Sequence, residues 1–254
     1  MQAQELGDQI SSLIEVHLLQ FHLMSGGTNG TLAMGWGSGS SQFSYLISPL
    51  EALQAQARQD GSMCQWVLDD YNYALIASTA QQATACFAFV KSDSGEGYIT
   101  VDGNQGDRNN LSAWQDGDKL IQTVAGNCSN TIVVVHSVGQ IDMEAWADHP
   151  NVTAILWASL PGQESGNSLV DVVYGAINPS GRLPFTIAKN VSDYSSHIIY
   201  PPNAGNYSAP YDNFQEGLLV DYRAFNARNI TPRYEFGFGL SYTTFNVQSP
   251  QIYR

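Results

Sequence analysis

Ala85-Cys86-Phe87-Ala88-Phe89-Val90, followed at once by Asp93-Ser94-Gly95-Glu96-Gly97-Tyr98, is an uninterrupted apolar run that opens into a Gly-rich polar loop. An apolar run without alternation reads as a strand buried on both faces, which is the habit of parallel sheets covered by helices. Such a strand delivers its next residues to the carboxyl edge, where α/β folds bind their ligands. Glu96 is therefore a candidate working carboxylate. Gly95 and Gly97 strip side chains from both sides of it and permit positive φ, so a bulky ligand can approach. Tyr98 adds a flat aromatic face of the kind that stacks on sugar rings or other apolar faces. The plainer alternative is an ordinary solvated Glu in a Gly-rich loop.

Outward from this strand, apolar runs alternate with helical patterns. Ser48-Pro49-Leu50-Glu51 forms a capping box with Pro at the first helical position; Leu50, Leu53 and Ala57 supply a buried stripe, and Gly61 ends the helix. Further elements are expected over 64–68, 73–82, 85–90, 116–125, 131–136, 143–148, 152–158 and 165–174, with a last strand at Phe185-Thr-Ile-Ala. The pattern predicts a mostly parallel sheet with helices on both faces, a three-layer α/β/α sandwich. Leu6, Ile10, Leu13, Ile14, His17, Leu18 and Phe21 fall at helical spacing, so the first residues are expected to form one amphipathic helix. Thr28 to Ser44 is rich in Gly and Ser and reads as a loop. From Asn178 onward helical periodicity fades, and Tyr194 to Gly217 is expected to run extended over the surface.

The 254 residues carry 43% hydrophobic content, enough for a substantial core, and a formal charge of −13 with only ten Lys plus Arg. Phosphate binding needs clustered cations and none occur, so no nucleic-acid partner is expected. No stretch is long and apolar enough to cross a bilayer, and no signal peptide is read at Met1-Gln-Ala-Gln-Glu-Leu-Gly-Asp. Cys64, Cys86 and Cys128 show no zinc spacing, and no metal or other cofactor is expected. Cys86 reads as a small apolar residue within its strand, and the odd count leaves at least one free thiol. Seven Asn-x-Ser/Thr acceptors, at Asn29, Asn110, Asn127, Asn151, Asn190, Asn206 and Asn229, favour a secreted glycoprotein.

The loop continues as Asp102-Gly-Asn-Gln-Gly-Asp107-Arg108-Asn109-Asn110-Leu111, and as a whole it resembles glycoside hydrolase family 3, nearest to secreted fungal β-glucosidases. Asn29-Gly-Thr-Leu-Ala-Met-Gly-Trp-Gly-Ser38-Gly39, Ile132-Val-Val-Val-His136-Ser-Val-Gly139, Leu160-Pro-Gly-Gln-Glu164-Ser-Gly-Asn167 and Pro232-Arg-Tyr-Glu-Phe-Gly-Phe-Gly-Leu-Ser-Tyr-Thr-Thr-Phe245 agree in order. The resemblance implies the family's second domain, an α/β sandwich over 28–188. Residues 189–254 would then be an extended linker towards a fibronectin-like domain, and 1–27 a non-homologous helical extension without the family's usual first strand. In the family a barrel carries an Asp nucleophile and sugar-clamping residues that have no counterpart here, so that barrel is the expected partner.

On the same resemblance, Glu96 is the general acid/base, Tyr98 lines the leaving-group subsite and Ser38 reaches the terminal glucose. The activity implied is that of a retaining exo-β-glucosidase acting on cellobiose, cello-oligosaccharides and aryl β-glucosides. The alternative from another class is a non-catalytic carbohydrate-binding or scaffolding module. Asp93 either polarises the loop or caps a turn. Asp107-Arg108 reads as a loop-fixing ion pair, Asn109 or Asn110 as a cap of the next helix, and Glu164 as a stabiliser of the helix that follows it. His136 ends a strand with no G-x-S-x-G elbow nearby, which argues against a hydrolase triad.

Overall fold

A computed structural model describes residues 16–19, 32–35, 41, 43–94, 100–101, 104–105, 108–197, 213–246 and 249. Five strands, β1 (Val16–Leu19), β2 (Cys64–Val67), β3 (Cys86–Ser92), β6 (Thr131–Ser137) and β7 (Val152–Trp157), form a sheet in the order β2-β1-β3-β6-β7 with every neighbouring pair parallel. The short strands β4 (Thr100–Val101) and β5 (Asn104–Gln105) pair antiparallel in a separate ribbon.

Side chains alternate along β3, and so its two faces bury against different helices. Phe87 and Phe89 join Ile132 and Val134 beneath Leu50 and Leu53 of α1 (Pro49–Asp60) and Leu169 and Val173 of α4 (Ser165–Val173). Cys86, Ala88 and Val90 turn the other way, with Val133 and Val135, onto Ile76 and Ala80 of α2 (Tyr73–Ala80) and Leu120, Ile121 and Val124 of α3 (Gly117–Ala125). The three-layer sandwich follows from this two-sided burial.

The α1 boundaries fall where the sequence placed them. Ser48 Oγ accepts from Glu51 N at 3.3 Å, Glu51 Oε2 accepts from Ser48 N at 2.8 Å, and Gly61 closes the helix at φ 70°. Other expectations are corrected. The amphipathic helix expected across Leu6 to Phe21 is not what Val16–Leu19 adopts: this stretch is β1, seated between β2 and β3, and it fills the first-strand position thought vacant. Glu144 to Asp148 makes turns rather than a helix, and Phe185-Thr-Ile-Ala contributes a single antiparallel bridge, Ile187 to Tyr234, rather than a strand.

Cys86 is not a lone apolar residue but pairs with Cys128 in a buried disulfide. The cysteine outside that bond, Cys64, is half-buried, and burial pushes its thiol up to about 11. The segment after Asn178 contains a helix the sequence reading did not anticipate, α5 (Tyr222–Arg228), which buries Ala224 and Phe225. That segment is stitched back onto the sandwich. Arg233 pairs with Glu144 and Asp148, and Tyr242 OH donates to Val172 O at 2.6 Å.

Candidate active site

The order β2-β1-β3-β6-β7 reverses between β1 and β3: the chain leaves β1 for β2 on one side and returns to β3 on the other. In open parallel sheets the crevice outside the carboxyl ends of the strands flanking that reversal is where ligands bind. Asp93 is the first residue past β3 and lies there, 1% exposed. From the segment that follows β1, Gly35 reaches the same place: a Cβ built on it would sit 3.8 Å from Asp93 Oδ1 and 3.9 Å from Leu160 Cδ1. Ala33 is held by its carbonyl, which accepts from Gly162 N at 2.9 Å. Segments after β1, β3 and β7 thus converge around one buried carboxyl group.

Asp93 Oδ1 accepts from Ser94 N at 2.8 Å, while Oδ2 has no partner among the described residues. Burial pushes this carboxyl up to about 6, against the opposing pull of the Ser94 N–H, Lys91 and Arg108. Arg108 closes the other end of the loop. Its Nη1 donates to Ser92 Oγ at 3.2 Å and to Gln140 O at 2.8 Å, so residues 92 and 108 are tied across the base of the segment between them. Gly139 leaves room for this arrangement, since a Cβ there would lie 3.4 Å from Arg108 Nη2. Burial lowers the Arg108 pKa, with Tyr194 and Asp93 acting in the opposite sense.

His136, the penultimate residue of β6, pairs with Lys91, is 2% exposed and stacks on Phe89 with centroids 6.3 Å apart. Burial first, and Lys91 second, lower it to about 3, so it stays a neutral core residue. Glu164 immediately precedes α4 but makes no backbone cap. It accepts instead from Tyr45 OH and, at 2.6 Å, from Asn167 Nδ2, and the Tyr45 hydroxyl holds its carboxyl below the ordinary range. Asn110 does not cap a helix either; its Oδ1 accepts from Ser112 N at 3.0 Å in a turn.

Glu96, Tyr98, Ser38, Asp107, Asn29 and Asn206 lie outside the described residues. Among the glycosylation candidates, Asn110, Asn190 and Asn229 are exposed, whereas Asn127 and Asn151 are half-buried with their Nδ2 atoms donating to Thr123 O at 2.8 Å and Ala125 O at 2.7 Å. The Arg108 contact to Gln140 was not foreseen, and no local pattern signals it, because it joins two loops through a backbone carbonyl.

The parallel sheet, its helices on both faces and a buried carboxyl at the switch point define an α/β sandwich domain. Residues 20–242 match the glycosyl hydrolase family 3 C-terminal domain, and the chain belongs to that family. It is 54% identical over 224 residues to Beta-glucosidase 1 of Aspergillus aculeatus, and 51% identical over 223 residues to Probable beta-glucosidase A of Aspergillus terreus. Each match covers 88% of this chain and 26% of the relative, so the chain spans about a quarter of these proteins. Among solved structures it is similar to a Chaetomium thermophilum beta-glucosidase at 46% identity and TM-score 0.81, covering 92% of this chain and 30% of that one. It is also similar to a glycoside hydrolase family 3 beta-glucosidase from Neurospora crassa at 41% identity and TM-score 0.83, covering 97% and 32%. Among the described residues no helix is long and apolar enough to cross a membrane.

Proposed function

We propose that this chain supplies the acid/base half of a retaining exo-β-glucosidase active site, with Glu96 as general acid/base. The observation that supports the reading most is the position of Asp93, three residues before Glu96, at the switch-point crevice where β1 and β3 diverge. Cleaving a β-glucoside requires a proton for a poor alkoxide leaving group and then a base for the water that releases the glycosyl-enzyme, and one carboxyl can serve both steps. The attacking carboxylate belongs to a barrel domain, about 5 to 5.5 Å from the acid in retaining enzymes generally. Tyr98 offers an aromatic face to the leaving group and Ser38 a hydroxyl to the terminal sugar. Both extend from segments whose described parts meet at Asp93. The substrates of this reading are cellobiose, cello-oligosaccharides and aryl β-glucosides.

The disulfide between Cys86 and Cys128 supports an oxidising, extracellular setting, as do the exposed acceptor sites at Asn110, Asn190 and Asn229. Residues 189–254 are taken to lead towards a fibronectin-like domain.

The test is a chimera in which residues 28–246 replace the matching segment of the Aspergillus aculeatus relative. Hydrolysis of cellobiose and p-nitrophenyl β-D-glucoside is compared with that of its Glu96→Gln variant. We expect the variant to lose cellobiose turnover by at least about a thousandfold, and azide to restore turnover of the activated aryl glucoside as glucosyl azide. A Glu96→Gln chimera that cleaves cellobiose at the parent rate would overturn the assignment.

A further inference from the structure

Asp93 does more than begin a loop. Its side chain is 1% exposed, one carboxylate oxygen is committed to Ser94 N, and the other has no partner among the described residues. Buried polar oxygens without a partner are rare, because leaving one unmatched costs stability, and they concentrate where a function needs them. Gly35 lies against this carboxyl from the segment after β1.

We propose that Asp93 is a positioning residue that also tunes charge: its carboxylate pins the first residue of the Glu96 loop and raises the proton affinity of Glu96, so that the acid keeps its proton while the attacking carboxylate is ionised. The inference rests on the reading of Glu96 as the acid/base. Chain geometry bounds the separation, since three residues span at most about 11 Å between Cα atoms. At that range a charge buried from water is only weakly screened, and a neighbouring anion disfavours ionisation of a second carboxyl.

The charges around Asp93 act on this effect in both directions. On β3 itself Lys91 opposes it, and so does Arg108 from the far side of the loop; the hydrogen bonds of Arg108 to Ser92 and Gln140 leave its charge intact, and both cations in turn favour the ionised form of Asp93. From β6, His136 is neutral across the working range. From the C-terminal segment Tyr194 faces Arg108 with a raised pKa and stays uncharged, its hydroxyl accepting from Ala188 N at 3.0 Å. Leu160 and Gly35 bring no charge. Asp93 itself titrates near 6. As pH rises through that value it becomes an anion in the range where Glu96 would otherwise release its proton, and the two titrations are coupled.

The experiment measures kcat/KM against pH for p-nitrophenyl β-D-glucoside in the chimera and in its Asp93→Asn, Arg108→Gln and Glu96→Gln variants. Thermal melting and near-UV circular dichroism report folding. Removing the anion lowers the basic limb by on the order of half a pH unit to one unit, with kcat falling more than KM rises; removing the cation moves the limb upward. A merely structural loop anchor would lower activity in both variants without opposite shifts. An Asp93→Asn chimera that folds and keeps its basic limb unmoved overturns the proposal while leaving Glu96 in place. If Asp93→Asn does not fold, Asp93→Ser is measured in its place: a lowered limb supports the proposal, and an unmoved or raised limb overturns it. A Glu96→Gln chimera with the parent profile removes the underlying reading, and the inference with it.

Discussion

Gly166 presses its bare α-carbon against the carbonyl of Ser48 where α4 crosses α1; a Cβ at position 166 would overlap the Ser48 carbonyl and lie 2.8 Å from Ala52 Cβ. The obstacle is backbone, so no rotamer change relieves it, and Gly166 N is already committed to Ile47 O at 2.8 Å. Gly166→Ala is expected to destabilise the fold by about 1–3 kcal/mol. Gly181→Ala, with nothing within 4 Å of its added carbon, should stay within about 0.5 kcal/mol of the parent. Urea titrations of the two variants check the contrast.

The Cys86–Cys128 bond closes a segment with a sequence separation of 42. The chain-entropy account assigns such a cross-link about 4 kcal/mol, and typical measured values run about 2–4 kcal/mol. Replacing both cysteines by Ala is expected to lower unfolding free energy by that typical amount. Both sulfurs are buried, so reductant should act on the native chain far more slowly than on the urea-unfolded chain. Thiol counting with time in each state measures this.

Asp93 and His136 bend the pH dependence of stability in opposite directions. The folded-state pKa of Asp93 is raised from 3.8 to about 6, so the fold carries a buried anion above that value, and the penalty disappears as pH falls below about 4. Asp93→Asn should therefore be more stable than the parent above pH 6, by up to about 3 kcal/mol, and equal to it near pH 4. His136 is lowered from 6.5 to about 3, so its contribution is complete above pH 6.5 and is lost progressively as pH falls towards 3. A His136→Phe variant, which keeps a ring over Phe89, should gain stability relative to the parent at pH 4 compared with pH 7.5. Thermal melts of both variants across this range read the two signs separately.

Glycan occupancy should divide the acceptor sites. Asn110, Asn190 and Asn229 are exposed, while the amide nitrogens of Asn127 and Asn151 are engaged inside the fold. Peptide mapping of chain secreted from a fungal host is expected to find sugar on the first group and bare Asn127 and Asn151. Full occupancy at Asn151 in stably folded protein would contradict this.

The elements legible in the sequence were those where several local signals agreed. At α1 the capping box, the Pro at the first helical position, the apolar stripe and the closing Gly61 all pointed one way, and the structure follows them. The apolar runs of β3 and β6 were legible because both faces are buried, and that of β7, half-buried at the sheet edge, because Ala154, Ile155, Leu156 and Trp157 still form an unbroken apolar stretch. β1 was misread because Val16-His-Leu-Leu is too short to separate strand from helix by periodicity, and helical spacing among its upstream neighbours tipped the reading. α5 is a seven-residue helix, too short for its period to register against a Tyr- and Asn-rich background. The Cys86–Cys128 pairing depends on α3 and β6 returning to the start of β3, which cysteine spacing does not encode. In the candidate site, Asp93 was visible as a carboxyl near Glu96. Its burial was not, because the segment that lies against it, at Gly35, is far away in sequence.

The placement of β1 has a consequence for how the domain assembles. Among the described residues β2 has no sheet neighbour other than β1, and β1 meets β3 through Leu18 and Leu19. Four residues therefore pin β2 to the rest of the sheet: without them β3, β6 and β7 keep their ladder, but β2 loses the strand it pairs with among the described residues. These are also pairings between residues remote in sequence, whose loops must close before any contact rewards them, which makes their docking a slow step. A ribosome-bound chain exposes this pin first and its sockets later, so the interval before β2 and β3 emerge is when the nascent domain most needs a chaperone.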